Sequence, residues 1–184
     1  VDFFEKEGKD LNPIEVKNFN LNEHLLVELI SEESYNSVKQ EKIRYYLKDT
    51  LALKKIGGVI KFGKLNLVDK ENVRLSEKYL FLGYFDMVNQ YLIQGIYKDS
   101  TDFKMVDKKT GQILNSFVSY PFFSENAKFT AIMKSTINEG TLFEIYSYRN
   151  GFYKNIIKAH FKNWISFEEH ERAFWGKDGS FYLS

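Results

Sequence analysis

The stretch Phe123-Ser124-Glu125-Asn126-Ala127-Lys128-Phe129-Thr130-Ala131-Ile132 decides the fold class, because its polar tight turn leads directly into an aromatic-led strand. Two other stretches have the same form, Ser76-Glu77-Lys78-Tyr79-Leu80-Phe81-Leu82 and Trp175-Gly176-Lys177-Asp178-Gly179-Ser180-Phe181-Tyr182-Leu183. The aromatic residues that follow the three turns are 50 and 52 residues apart. This interval predicts a repeat of propeller-blade length, since four short strands with their connections occupy roughly 40–50 residues.

Turn residues elsewhere predict further hairpins and connections. Gly57-Gly58 and Asn150-Gly151 each lie between apolar runs, and Asn-Gly is the typical pair of a type I′ hairpin turn. A polar turn is predicted from Asp69 to Asn72. Strands are predicted at 65–68, 79–84, 91–97, 113–118, 129–133, 142–148, 152–161 and 180–183. Short strands separated by turns at this spacing favour a sandwich, barrel or propeller.

The first 50 residues have a different pattern. Leu25, Leu26, Leu29 and Ile30 recur at helical spacing with Asn22 as a candidate cap, and a second helix is predicted from Tyr35 to Leu47. We therefore expect two parts. Residues 1–50 form a partly helical N-terminal extension that packs on the sheet, and residues 51–184 form a blade-like, antiparallel β-meander domain.

The second and third turns resemble the Phe-Ser-Pro-Asp-Gly-Lys turn of Tol-type and WD-repeat propeller blades. Asp107 with Lys109-Thr110-Gly111 resembles the Asp-x-x-Thr-Gly hairpin that precedes that turn in the same blades. From Leu51 to Ser184 the chain is similar to uncharacterised bacterial envelope proteins with propeller-like β-meanders. The chain departs from the blade motif at Glu125 and Ala127, where the motif has proline and glycine. The blade motif is structural, so the resemblance transfers no catalytic residue. Because 184 residues hold about three units and closed propellers have about four to eight blades, we expect an incomplete propeller, a curved open meander or a helix-capped sheet.

Composition excludes several classes of protein. A net charge of +1 provides no bulk field for nucleic acid. Without cysteine the chain has no disulfide, no thiol nucleophile and no cysteine-ligated metal. No apolar run reaches the roughly 20 residues of a membrane span. Because the sequence begins at Val1 and not at Met, we expect that either a leader or lipid-anchor segment was removed or a disordered start was trimmed. We favour the first explanation, which predicts a periplasmic or outer-surface location.

Few residues form a pattern that indicates chemistry. Lys109-Thr110-Gly111 matches one box of the serine β-lactamases, but the Ser-x-x-Lys and Ser-Asp-Asn boxes are missing, so a turn is the better interpretation. His160, His170 and Glu168 are candidate metal ligands whose spacing is not diagnostic, and a solvated acidic loop is the simpler interpretation. No cofactor or metal is predicted.

Trp164, Trp175 and Phe167 are the candidate ligand-binding residues, since aromatic platforms stack on sugars, although such residues more often form core. The first hypothesis is a non-enzymatic module of the bacterial envelope that binds a protein or glycan. Its open sheet edges could accept a partner's strand. One alternative is a hydrolase with a site near Glu168, Glu169, His160 and His170. The other is a structural assembly protein that forms a homodimer through a sheet edge.

Overall fold

The computed structural model describes residues 26–40, 53–71, 76–136, 138–162 and 173–183. In these residues the regular structure is antiparallel strand, apart from one α-helix and one short 3₁₀ turn, which confirms the predicted mainly-β meander. The helix α1 is Glu32–Gln40, and the strands are β1 Val59–Phe62, β2 Leu65–Val68, β3 Lys70–Glu71, β4 Ser76–Phe85, β5 Gln90–Tyr97, β6 Thr101–Asp107, β7 Ile113–Phe117, β8 Phe122–Phe123, β9 Phe129–Thr136, β10 Gly140–Arg149, β11 Phe152–Phe161, β12 Ala173–Trp175 and β13 Phe181–Leu183.

Consecutive strands are neighbours in the sheets. One sheet has the order β3-β4-β5-β6-β7, a second has the order β11-β10-β9-β8, and β1-β2 and β12-β13 form two-stranded ladders. These strand orders do not establish repeated blades, so the propeller-like arrangement stays a prediction.

The chain divides into two compact units. Arg44–Pro121 with Arg149–Tyr153 makes the five-stranded unit, and Val1–Ile43, Phe122–Tyr148 and Lys154–Ser184 make the four-stranded unit. The predicted boundary between residues 50 and 51 lies among residues that are not described, and it also stays a prediction.

The core of the five-stranded unit lies between one face of its sheet and the β1–β2 hairpin. Side chains alternate across a strand, so residues at every second position of β4, β5 and β6 face the hairpin together. Full burial of Ile93 and Val106 stabilises the fold by about 1.5–3 kcal/mol for each side chain. The buried members of this core are Ile60, Phe62, Leu67, Tyr79, Ile93 and Val106.

Asp107 organises the turn between β6 and β7. Its Oδ1 accepts hydrogen bonds from the Lys109 N–H (3.0 Å), the Thr110 N–H (2.6 Å) and the Thr110 hydroxyl (2.8 Å). Gly111 follows with a φ of +73°. A methyl group at Gly111 would lie 2.4 Å from the carbonyl oxygen of Phe62, so this turn and the β1–β2 turn are in close contact. Lys109-Thr110-Gly111 is therefore part of a structural turn.

The repeated turn of the sequence is present between β8 and β9. The Ser124 carbonyl accepts from the Ala127 N–H at 2.8 Å, and the Asn126 Oδ1 accepts from the Lys128 N–H at 2.9 Å. Ala127 has a φ of +51°, which is unusual for a residue with a side chain. The Asn126 amide thus stabilises a turn in which alanine occupies the left-handed position.

The same scheme recurs 52 residues later, between β12 and β13. The Gly176 carbonyl accepts from the Gly179 N–H at 3.1 Å, and the Asp178 Oδ1 accepts from the Ser180 N–H at 3.0 Å. Gly179 has a φ of +84°. The second and third copies of the predicted repeat therefore share one turn geometry.

The first copy differs from this prediction. Ser76, Glu77 and Lys78 lie inside β4, so they are strand residues and not a polar turn. The turn predicted from Asp69 to Asn72 is also wrong in part, because Lys70 and Glu71 form β3 and pair with Glu77 and Ser76. Asn72 lies outside the described residues.

The helical predictions are only partly correct. Leu26 to Ile30 have no regular secondary structure, and Asn22 and Leu25 lie outside the described residues. The Ser31 hydroxyl accepts a hydrogen bond from the Ser34 N–H at 3.1 Å, which is the geometry of a helix N-cap, so α1 begins after Ser31. The predicted helix from Tyr35 to Leu47 overlaps α1, and its residues after Gln40 are not described.

Candidate functional site

One side of β4 is only partly covered by neighbouring strands. β5 pairs with β4 along its length, whereas on the opposite side β3 pairs only with Ser76 and Glu77. Beyond that point the backbone groups of Tyr79 are bound by side chains. The Tyr79 N–H donates to the Asp69 Oδ1 at 3.0 Å, and the Lys55 ammonium donates to the Tyr79 carbonyl at 3.0 Å.

Lys55 and Asp69 also form an ion pair with each other. Partial desolvation alone would raise the pKa of Asp69, but the Lys55 ammonium and the Tyr79 N–H outweigh it and hold the pKa below its usual range. The carboxylate is therefore charged at neutral pH. Together the two side chains take the place of a neighbouring strand at Tyr79.

The next residue with the same backbone orientation is Phe81, because N–H and C=O groups alternate in direction along a strand. Within the described part of the chain, no backbone hydrogen bond joins Phe81 to a residue on the side away from β5. Phe81 therefore offers one donor and one acceptor at this side of the sheet.

A groove of about 360 Å³ lies at this place, and we call it the edge groove. Its volume is at the lower end of the roughly 300–1,000 Å³ typical of ligand sites. Ile56 and Leu80 line it and are 74% and 43% exposed, so apolar surface is available to a partner. The lining residues are Leu53, Lys54, Lys55, Ile56, Tyr79, Leu80 and Phe81.

The Tyr79 side chain joins the edge groove to a polar cluster on the same unit. Its hydroxyl donates to the Glu77 carboxylate at 3.3 Å, and its ring meets that of Tyr97 edge-on, with centroids 6.3 Å apart. Burial, reinforced by Tyr97 and Glu77, raises the pKa of Tyr79 well above its ordinary value. Tyr79 is therefore a neutral hydrogen-bond donor at physiological pH and not a base.

Asp102 is the centre of that polar cluster. It accepts hydrogen bonds from the Tyr97 hydroxyl at 3.2 Å and the Ser116 hydroxyl at 2.9 Å, and it pairs with the Lys104 ammonium. Gly95 leaves room for these contacts, since a methyl group there would lie 2.4 Å from Asp102 Oδ1. The Ser116 hydroxyl points at a carboxylate that is already paired with a cation, so the cluster braces β5, β6 and β7 against one another.

Of the residues singled out from the sequence, the structure describes Trp175 and His160. The Trp175 indole N–H donates to the Phe122 carbonyl at 2.8 Å, and its ring packs on Phe181 with centroids 5.3 Å apart. Trp175 thus connects β12 to β8 as a packing residue. The His160 ring hydrogen-bonds the backbone carbonyl of Glu139.

Trp164, Phe167, Glu168, Glu169 and His170 lie outside the described residues. Their assignments as ligand-binding, metal or hydrolase residues stay predictions. Within the described ranges no group of three histidine or carboxylate side chains is placed to hold a metal ion.

The edge groove was not predicted from the sequence. Its two determining side chains, Lys55 and Asp69, are 24 and 10 residues from the strand position that they bind. No local motif marks such a contact, because it depends on how the β1–β2 hairpin meets β4.

Comparisons with known proteins assign no function to this chain, so its function is inferred from the geometry of the site. Across the described residues, no helix has the length and apolar character needed to cross a membrane. Comparison of the chain with protein-family models, with curated proteins and with solved structures finds no match.

Proposed function

We propose that this protein is a non-enzymatic interaction module that binds an extended segment of a partner protein by strand addition at the edge groove. The observation that carries the proposal is the position of Phe81. Lys55 and Asp69 bind the backbone C=O and N–H of Tyr79. The N–H and C=O of Phe81 are the next groups on that side of β4, and they face a groove with apolar walls. In strand addition, main-chain hydrogen bonds provide affinity and neighbouring side-chain pockets provide specificity.

The Lys55–Asp69 pair supports this proposal because it restricts where a partner can bind. The pair already occupies the Tyr79 backbone, so an added strand has to begin its pairing at Phe81. A protein that only protected its sheet from association would be expected to cover the next position as well.

The proposal extends to the cellular compartment of the protein. An envelope location, periplasmic or outer-surface and with a lipid anchor in the precursor, is supported by the resemblance of the two matched turns to propeller-blade turns. Osmotic-shock fractionation of the native cells with antibody detection tests it, and recovery of the protein only in the cytosolic fraction would contradict it.

The binding proposal is tested with a fluorescein-labelled peptide of alternating valine and threonine, about seven residues long, by fluorescence anisotropy. Such a strand buries much less than the roughly 800 Å² per partner of stable complexes, so we expect a Kd on the order of 100 μM. Leu80→Lys should weaken binding at least tenfold. Val118→Lys is the matched control, since Val118 is an exposed apolar residue of the same unit.

Backbone pairing is tested separately with two N-methylated forms of the peptide. Strand residues bond to a neighbour only at alternate positions. Methylation of one alternate set of amides should therefore abolish binding, and methylation of the other set should leave it unchanged. Equal loss with both sets, or equal binding to the Leu80→Lys protein, would contradict strand addition.

A further inference from the structure

The segment Leu26–Ile30 presents an unusual apolar surface immediately before α1. Leu26 is 76% exposed, Val27 is 65% exposed and Leu29 is completely exposed. Only Glu28 interrupts the four large apolar side chains of these five residues. Contiguous exposed apolar groups of this kind mark interaction sites.

The conformation of this segment suits addition to a sheet. It has no regular secondary structure, and it ends where Ser31 caps α1. As an extended strand, five residues span about 17 Å. Its backbone N–H and C=O groups can then exchange water for hydrogen bonds to a neighbouring strand.

The edge groove matches the segment in polarity and charge. Leu53, Ile56 and Leu80 provide apolar walls, and Lys54 lies between the first two. The segment has a single carboxylate, Glu28, at its centre, with apolar residues on both sides. An extended Leu26–Ile30 can therefore place Glu28 close to Lys54 while its apolar side chains contact the groove walls.

We propose that Leu26–Ile30 of one copy adds as a strand to the edge groove of a second copy of this chain. Leu26, Val27 and Leu29 are exposed, so their apolar surface is available to a second copy. Each folded chain therefore carries both halves of the contact, which are the segment and the edge groove. Two chains that exchange segments fill both grooves. This inference rests on the proposed function, because it names the strand that the groove receives.

The test measures the association of the full chain by sedimentation velocity over a range of concentrations. The wild type should show a concentration-dependent dimer. Leu29→Asp removes the segment half and Leu80→Lys removes the groove half, so each variant alone should weaken self-association at least tenfold. Val118→Asp, an exposed apolar residue outside both halves, should leave it unchanged.

A mixture of the two variants provides the most specific result. The Leu29→Asp chain keeps an intact groove and the Leu80→Lys chain keeps an intact segment, so the mixture should recover one contact per pair and form a heterodimer. Packing of two segments against each other would not be rescued in this way, because every such contact would include the changed Leu29.

The outcomes separate this inference from the proposed function. If the valine–threonine peptide binds the groove while the wild-type chain is monomeric at all concentrations, the homotypic inference is wrong and the strand-binding function stands. If the Leu29→Asp chain binds neither that peptide nor an acetylated peptide of residues 26–31, both are wrong. A monomer in which the wild-type segment is protected from hydrogen exchange would show docking within one chain and would also overturn the inference.

Discussion

Gly111→Ala should destabilise the five-stranded unit more than the same substitution does at an open turn. Two costs add at this position. The φ of +73° is unfavourable for alanine by about 1–2 kcal/mol, of which the smaller entropy of the unfolded chain offsets about 0.4–1 kcal/mol. The methyl group would also lie 2.4 Å from the Phe62 carbonyl oxygen, where ordinary contacts are 3.4–4 Å.

The second cost can be estimated from the displacement that it requires. The β6–β7 turn and the β1–β2 turn have to separate by about 1 Å, and overpacking of this kind costs about 1–3 kcal/mol. The total for Gly111→Ala is therefore about 2–4 kcal/mol. Gly179→Ala is the matched control, since Gly179 has a φ of +84° with no atom within 4 Å of the added methyl, and we expect it to cost about 1 kcal/mol.

The contact is reciprocal, and this permits a stricter test. A methyl group at Gly63 would lie 2.8 Å from the Thr110 carbonyl oxygen, on the opposite side of the same contact. Once one methyl has separated the turns, the other costs less. The Gly63→Ala and Gly111→Ala effects should therefore fall short of additivity by about 1 kcal/mol.

The assay has to report on the correct unit. Trp175 belongs to the four-stranded unit, so its fluorescence does not report on the β6–β7 turn. Urea unfolding should be followed by hydrogen exchange of peptides from β6 and β7, with tryptophan fluorescence as the internal comparison. Equal losses for Gly111→Ala and Gly179→Ala, together with an additive double variant, would refute the reasoning.

Three further predictions concern single side chains. Asp107→Asn should lower the free energy of unfolding by about 1 kcal/mol at neutral pH. The Thr110 N–H outweighs partial desolvation and holds the pKa of Asp107 below 3.8. The greater stability of the wild type should therefore be complete above that pH and decline as the pH falls through the folded pKa. Urea melts from neutral pH to pH of about 2 check this, and a difference in unfolding free energy that does not change with pH would contradict it. Asp69→Ala should cost about 1–2 kcal/mol by removing the acceptor for the Tyr79 N–H, whereas Asp69→Asn should cost less, and hydrogen exchange at Tyr79 distinguishes them. Ala127→Gly should change the free energy of unfolding by less than about 1 kcal/mol, because relief of the φ of +51° offsets the loss of a fully buried methyl group. Urea melts followed by tryptophan fluorescence test this. A loss above about 2 kcal/mol would show that the alanine is unstrained.

The parts of the fold that depend on neighbouring residues could be predicted from the sequence. The strand at Leu65–Val68 has the predicted bounds, and the Asn150-Gly151 turn joins β10 to β11 as expected. Both depend on alternation and on residues that accept a positive φ, and these properties are local. Asn150 and Gly151 indeed have φ values of +53° and +94°.

The errors arise where two local patterns compete. Leu26 to Ile30 fit helical spacing, but Ser31 provides a cap with a helix-forming sequence after it, so the helix begins beyond the apolar residues. Ser76 to Lys78 are polar like a turn, yet they alternate in a strand that β5 supports along its length. In both places a pairing or capping partner decides the structure, and residue type alone does not identify that partner.

The two matched turns constrain very few of their residues. Each requires a side-chain oxygen on the third residue, Asn126 or Asp178, and a left-handed backbone on the fourth. The second residue, Glu125 or Lys177, even reverses its charge between the two copies. A unit duplicated within one gene can therefore diverge at most positions of such a turn while its hydrogen-bond scheme persists. The two turns can also be exchanged in engineered chains as five-residue cassettes.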